Sequence, residues 1–402
     1  MTNRYLYGAG FVLLCAVLAV GTAAAFAPTF EMAHQHDVHE DQVVDVEYAD
    51  YHDVVYSLDE NGLFAAYDVG EAQFEFSWEF EDGHAIAASE DAVYIASGET
   101  FWEYSVSTAE FINHGTLDTH PEAMVYDDER DVVWIGGHET VHGYFATNGS
   151  AYMDYNVHSE GIGTLDIYED YIVSGTTWET EVVVYDVENE DVVYEPDLPD
   201  DTQGVSAVNL LDTDALLVGA LGDDANDLVA GYDVEEESLL LEHREHIFGV
   251  SFVGYEPHND LIISTGFDNT IRFYDHETDS IVEEYEHDDT IYTASYDYPN
   301  SLLWIGDGEE RDGVVSGIDI HYEADPADDD VPANDADPAD DTADEADDAI
   351  DADDTADDAD DTMDADDSAD DSDDDGLPGF GPLAALIAIG SLLSYRLTRR
   401  RK

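Results

Sequence analysis

Lysine and cysteine are almost missing from this 402-residue chain. The one lysine is the final residue, Lys402, and the one cysteine, Cys15, lies in an apolar run near the start. A single cysteine excludes an intrachain disulfide, and removal of the leading segment would exclude thiol catalysis too. Basic residues are scarce throughout. Only Arg130, Arg244, Arg272 and Arg311 fall between Glu31 and Asp375, a stretch that holds all 99 Asp and Glu. No basic stripe exists to neutralise phosphates, which excludes nucleic acid as a partner. Three motifs are also missing: a Gly-rich phosphate loop, a G-x-S-x-G elbow and an H-E-x-x-H pair. Paired carboxylates are everywhere, so no one pair argues for a glycosidase. Finally, no segment between residues 28 and 322 keeps a helical period.

What is present in excess is negative charge. Self-repulsion on this scale destabilises a compact state in dilute buffer. In molar salt the Debye length falls to roughly 3 Å and the repulsion is screened, so the composition reads as adaptation to brine. Specific calcium binding is the sharper reading. Asp223-Asp224 with Asp227, and Asp307 with Glu309, Glu310 and Asp312, are its acidic clusters. Neither follows the spaced D-x-D-x-D-G loop with a closing glutamate, so no cofactor is expected and calcium stays open.

The chain between residues 28 and 322 repeats itself. A short strand ending in an anchor residue and a polar neighbour recurs: Tyr67-Asp68-Val69, Tyr104-Ser105-Val106, Tyr144-Phe145-Ala146, Tyr185-Asp186-Val187, Tyr232-Asp233-Val234, Tyr274-Asp275 and Ile318-Asp319-Ile320. The anchors stand 37 to 47 residues apart. A period near forty with all-β character predicts the blades of a propeller, seven in number. Each unit reads as four short strands, except that the seventh ends after its third. The unassigned alternating segment Thr29–His36 is therefore expected to supply the missing outer strand beside Val314–Ile320, closing the ring.

The sixth unit resembles a WD40 repeat. His246, Ser264, Asp268 and Tyr274 match the hydrogen-bonded set that staples a blade in that family, with tyrosine in place of the usual tryptophan. The first unit is similar to a quinoprotein-type repeat through Val55-Tyr56, Asn61-Gly62-Leu63, Tyr67-Asp68 and Trp78. The quinone cofactor of that family is not expected, because its enzymes are larger and many carry adjacent cysteines joined in a disulfide.

Histidine is the most suggestive side chain. His39, His84, His120, His158, His246 and His287 each precede an innermost strand, with Gln203 in the remaining place. The resemblance makes them blade staples. A metal is better sought at His34, His36 and His39, where strand alternation puts His34 and His36 on one face. Trp178 sits in a turn, where an exposed ring suits a sugar or peptide. Asn148-Gly-Ser150 is the N-glycosylation sequon, on an expected hairpin turn.

The ends carry an address. Arg4, the apolar run Tyr5–Val20 and Ala23-Ala24-Ala25 read as a signal peptide over residues 1–25, with a retained anchor as the alternative. Residues 323–376 are Asp, Ala and Thr with three prolines, a composition expected to stay disordered as a stalk. Residues 377–402 hold Pro378-Gly379-Phe380, an apolar transmembrane-type helix and a basic tail. This order resembles the PGF-type carboxy-terminal sorting signal (PGF-CTERM) of halophilic archaea. The resemblance implies an archaeosortase-like enzyme that removes the helix and joins the new end to a lipid. The chain thus reads as a surface-anchored propeller acting as a non-catalytic binding or scaffold module, its partner a cell-surface protein or glycan. The alternatives are an extracellular lyase or hydrolase working at the channel mouth and a structural, S-layer-associated component of the envelope.

Overall fold

β-Branched and aromatic runs of four to nine residues, parted by Gly, Asp and Asn turns, fold as strands. The computed structural model describes residues 28–211, 215–223, 226–276, 278, 280–308 and 313–321. Within them, 28 strands form seven antiparallel sheets of four strands each, an all-β seven-bladed propeller. Among the described residues no helix is long and apolar enough to cross a membrane. The expected signal segment, stalk and C-terminal helix lie outside the described residues, as do Pro378, Gly379 and Phe380.

The sixth blade shows the common plan, with strands Val250–Glu256, Leu261–Gly266, Thr270–Asp275 and Ser280–Glu286 running outward in chain order. Burial peaks in the middle of the blade: the first strand is buried in part, the second at every residue, and the fourth at none. Neighbouring blades pack face to face. Ile263, Phe273, Ile305 and Ile318 fill the seam between the sixth and seventh blades. Each such side chain contributes about 1.5–3 kcal/mol by leaving water.

The seventh blade closes the ring. Thr29–His36 pairs antiparallel with Val315–His321, from Thr29 opposite His321 to His36 opposite Val315. One bulge, between Met32 and His34, interrupts the ladder. First and last strands therefore share one sheet, as the strand count requires.

The repeated Tyr-Asp-Val follows from turn chemistry. The aspartate closes the hairpin between third and fourth strands by accepting the backbone N–H three residues on: Asp68 from Glu71 at 2.6 Å, Asp186 from Asn189 at 2.8 Å and Asp233 from Glu236 at 2.7 Å. The valine N–H then bonds to the hairpin between the first two strands, Val69 to the Asp53 carbonyl at 2.9 Å and Val187 to that of Asp170 at 2.8 Å. One tripeptide ties two turns together. The buried indoles need a different provision. Trp134 and Trp304 lie directly opposite Gly143 and Gly317, where a Cβ would meet the ring at 2.8 Å and 2.9 Å.

Candidate functional site

The first strands of all seven blades face the axis and enclose a channel of about 660 Å³. Six of them bulge near one mouth: between Val43 and Asp45, Gly83 and Ala85, Ile162 and Thr164, Val205 and Ala207, Val250 and Phe252, and Ile291 and Thr293. The extra residue re-aims its side chain. His84, Ser206, Ser251 and Tyr292 line the channel from these positions, and Glu122 lines it from the third blade.

The channel is acidic, and among the described residues no lysine or arginine lines it. Two of its carboxylates pin blade to blade. Asp45 accepts the Ile86 N–H of the next blade at 2.8 Å and that of Val46 at 2.9 Å. Asp166 likewise accepts the Leu210 N–H at 2.7 Å and the Asn209 side chain at 2.8 Å. Burial outweighs these donors and raises both carboxyls to about 6. Glu47 differs. Burial first, then repulsion from Asp45 and Asp166, pushes it up to about 8. Burial also raises Glu122, whose carboxylate accepts from Thr177 Oγ1 at 3.3 Å.

Tyrosines ring the opposite mouth. Tyr48 donates to Asp53 at 3.3 Å, Tyr126 to Asp131 at 3.2 Å, and Tyr255 to Asp260. Each of these aspartates holds a left-handed turn, with φ of 54°, 54° and 61°. Sequence reading missed this constellation, although a recurring Tyr-x4-Asp is visible in the chain.

The structure brings the four stapling residues together. His246 Nε2 lies 2.7 Å from Ser264 Oγ and its Nδ1 lies 3.0 Å from Asp268, while Ser264 donates to Tyr274 at 3.2 Å. Arg272, itself buried, pairs with Asp268 at 3.1 Å and with Glu284 at 2.7 Å. Imidazole and guanidinium hold the Asp268 carboxyl far below its ordinary range. The same staple recurs at His39, which meets Ser57 at 2.7 Å and Asp59 at 3.3 Å, and at His158, which meets Ser174 at 2.6 Å. In each case the serine is the fourth residue of the second strand.

That rule leaves three of the six histidines without a serine: in the seventh blade the fourth residue is Ile305, and His287 meets Asp307 instead. The fourth residue is Ile95 in the second blade and Ile135 in the third, so no serine awaits a staple there. His84 does not precede its strand, as the repeat suggested, but lies inside it at the bulge. Its ring meets that of His120 edge to face, with centroids 4.4 Å apart. Burial, then the nearby His120, lowers His84 to about 4.

His34, His36 and His39 are held apart in their bonding. His34 Nδ1 meets Tyr67 Oη at 3.1 Å, His36 stacks on the Tyr67 ring at 4.9 Å, and both His39 nitrogens belong to its staple. Among the described residues no group of three or more His, Cys, Asp or Glu is placed to hold a metal ion. The acidic clusters divide too. Asp227 accepts the N–H groups of Gly222 and Gly249, and Asp307 accepts that of Val314 and meets His287 at 2.6 Å. Asp224, Glu309, Glu310 and Asp312 lie outside the described residues.

Arg130 and Arg244 are ion-paired like Arg272, to Asp127 and Asp170 and to Asp201 and Glu242, whereas Arg311 is outside the described residues. Asn148 is exposed on the turn after Phe145. Trp178 is 41% exposed and Trp78 51%, the latter stacked on Phe111 of the next blade at 4.8 Å. No protein-family model matches the chain, and a search of curated proteins finds no significant match.

Proposed function

We propose that the chain is a cell-surface binding module whose ligand enters the acidic channel. One observation carries this: a cavity of about 660 Å³ lined by Asp45, Glu47, Asp166 and Glu122 with no lysine or arginine among its described lining residues. Such a lining disfavours phosphates and carboxylates and suits a ligand rich in hydroxyls or carrying positive charge. The surface address rests on the sequence, through the PGF-type motif at Pro378-Gly379-Phe380 and the apolar run before the basic tail. The acidic excess supports a saline exterior. Envelope extracted in molar salt and passed over the immobilised chain tests the reading. Molecules retained by wild type should be released by Glu47→Lys, which places a cation in the channel. The same set retained by both would overturn it.

Catalysis is the second reading, and Glu47 is what favours it. A carboxyl raised to about 8, facing Asp45 and Asp166 at about 6, is a protonated acid beside two bases near neutrality. Breakdown of an envelope glycan by wild type, lost in Glu47→Gln with the fold retained, would establish it. Equal turnover by the variant would exclude Glu47 as the acid.

A further inference from the structure

Buried ring nitrogens in folded proteins find partners, and an unpartnered one loses its hydration with nothing in return. Most histidines on this propeller obey the rule, as His39, His246 and His287 do through Ser or Asp. His36, whose nitrogens are unpartnered, is an exception and lies stacked on the Tyr67 ring. His84 is another. Both of its nitrogens, and Nε2 of His120, are buried without a hydrogen-bond partner. The two rings come from neighbouring blades and lie within one another's reach, 4.4 Å between centroids and 77° between planes. Imidazoles sharing one tetrahedral ion at Zn–N distances of about 2.0–2.1 Å hold their centres roughly 5 Å apart. The observed pair would part by somewhat under ~1 Å to reach that spacing.

We propose that His84 and His120 form a two-imidazole seat for a divalent transition metal, zinc or copper, at the bulged mouth of the channel. The unpartnered nitrogens are its donors. Asp82 and Glu99 lie near His120 and act against the burial that lowers its pKa. No third protein ligand is in place among the described residues, so water or a channel ligand completes the coordination. His84, unlike His120, lines the cavity. The sequence could not single out this pair, because its members are 36 residues apart in a chain of 16 histidines.

Copper is the informative probe, because the many carboxylates bind it through oxygen alone. The full chain in molar sodium chloride, given one equivalent of copper(II), should show an electron paramagnetic resonance signal split by two nitrogens. His84→Gln and His120→Gln should each lose that splitting and weaken copper binding by about tenfold or more. His34→Ala/His36→Ala should keep both. Oxygen-only coordination in wild type would overturn the proposal, and so would a nitrogen signal that survives in both glutamine variants or disappears with His34 and His36. Should the glutamine variants misfold by circular dichroism, crystals of wild type soaked in zinc chloride decide. An anomalous peak between the two rings supports the seat, and a peak only elsewhere, or water alone in that place, refutes it.

Discussion

Replacing Glu47 by glutamine should stabilise the propeller, and by an amount that depends on pH. The side chain is raised from 4.5 to about 8 by burial and by Asp45 and Asp166. Taken whole, that displacement corresponds to about 5 kcal/mol. Channel water still reaches part of Glu47, and molar salt screens the rest, so the realised gain is on the order of 1 kcal/mol. For a domain this large, that moves the melting temperature by roughly 2–4 °C. The sign follows from proton linkage. Between pH 4.5 and about 8 the folded chain holds a proton that the unfolded chain has released. Wild type therefore loses stability as pH rises through that window. The glutamine does not titrate. Its advantage should be near zero at the acidic end and full above pH 8, read by thermal unfolding of both chains in molar salt at pH 5, 7 and 9. A constant gap across the series, or a more stable wild type at pH 9, would refute the account of the channel.

Three further outcomes are expected. Asp268→Ala strands the buried Arg272 and His246 and should cost about 3–5 kcal/mol in denaturant titration; an unchanged midpoint would show that the staple is idle. Lowering salt from molar to roughly 0.1 M should unfold the chain, followed by circular dichroism, because 99 acidic groups lose their screening; a spectrum constant over that range counts against the saline reading. Intact mass of membrane-extracted protein should end near Gly379 and include an added lipid, whereas recovery through Lys402 without lipid would make the tail an ordinary span.

The seven blades were legible because their spacing and their Tyr-Asp-Val turns are local, repeated and tied to one backbone geometry. Ring closure was legible too, since a blade lacking one strand and a strand lacking a blade leave a single pairing. The channel was not. Nothing in the chain distinguishes Glu47 or Asp166 from the other carboxylates, because what sets them apart is contact between strands about forty residues apart. The histidine pattern failed for a related reason. His39, His158, His246 and His287 each sit four residues before their first strand, whereas His84 lies inside its own strand at the bulge, in the channel wall, and its partner lies on another blade.

The closing pair Thr29–His321 sets how the ring answers to force. A pull applied between these two ends would open the ladder like a zipper, one rung at a time from Thr29 toward His36. A load arriving through His321 alone meets a different resistance. The strand Val315–His321 is flanked by Leu302–Asp307 on one side and Thr29–His36 on the other, and is bonded to both. Traction on that strand must shear two ladders together. A propeller tethered from its carboxyl side is thus held by an interior strand, and its closing seam is loaded in shear and not unzipped.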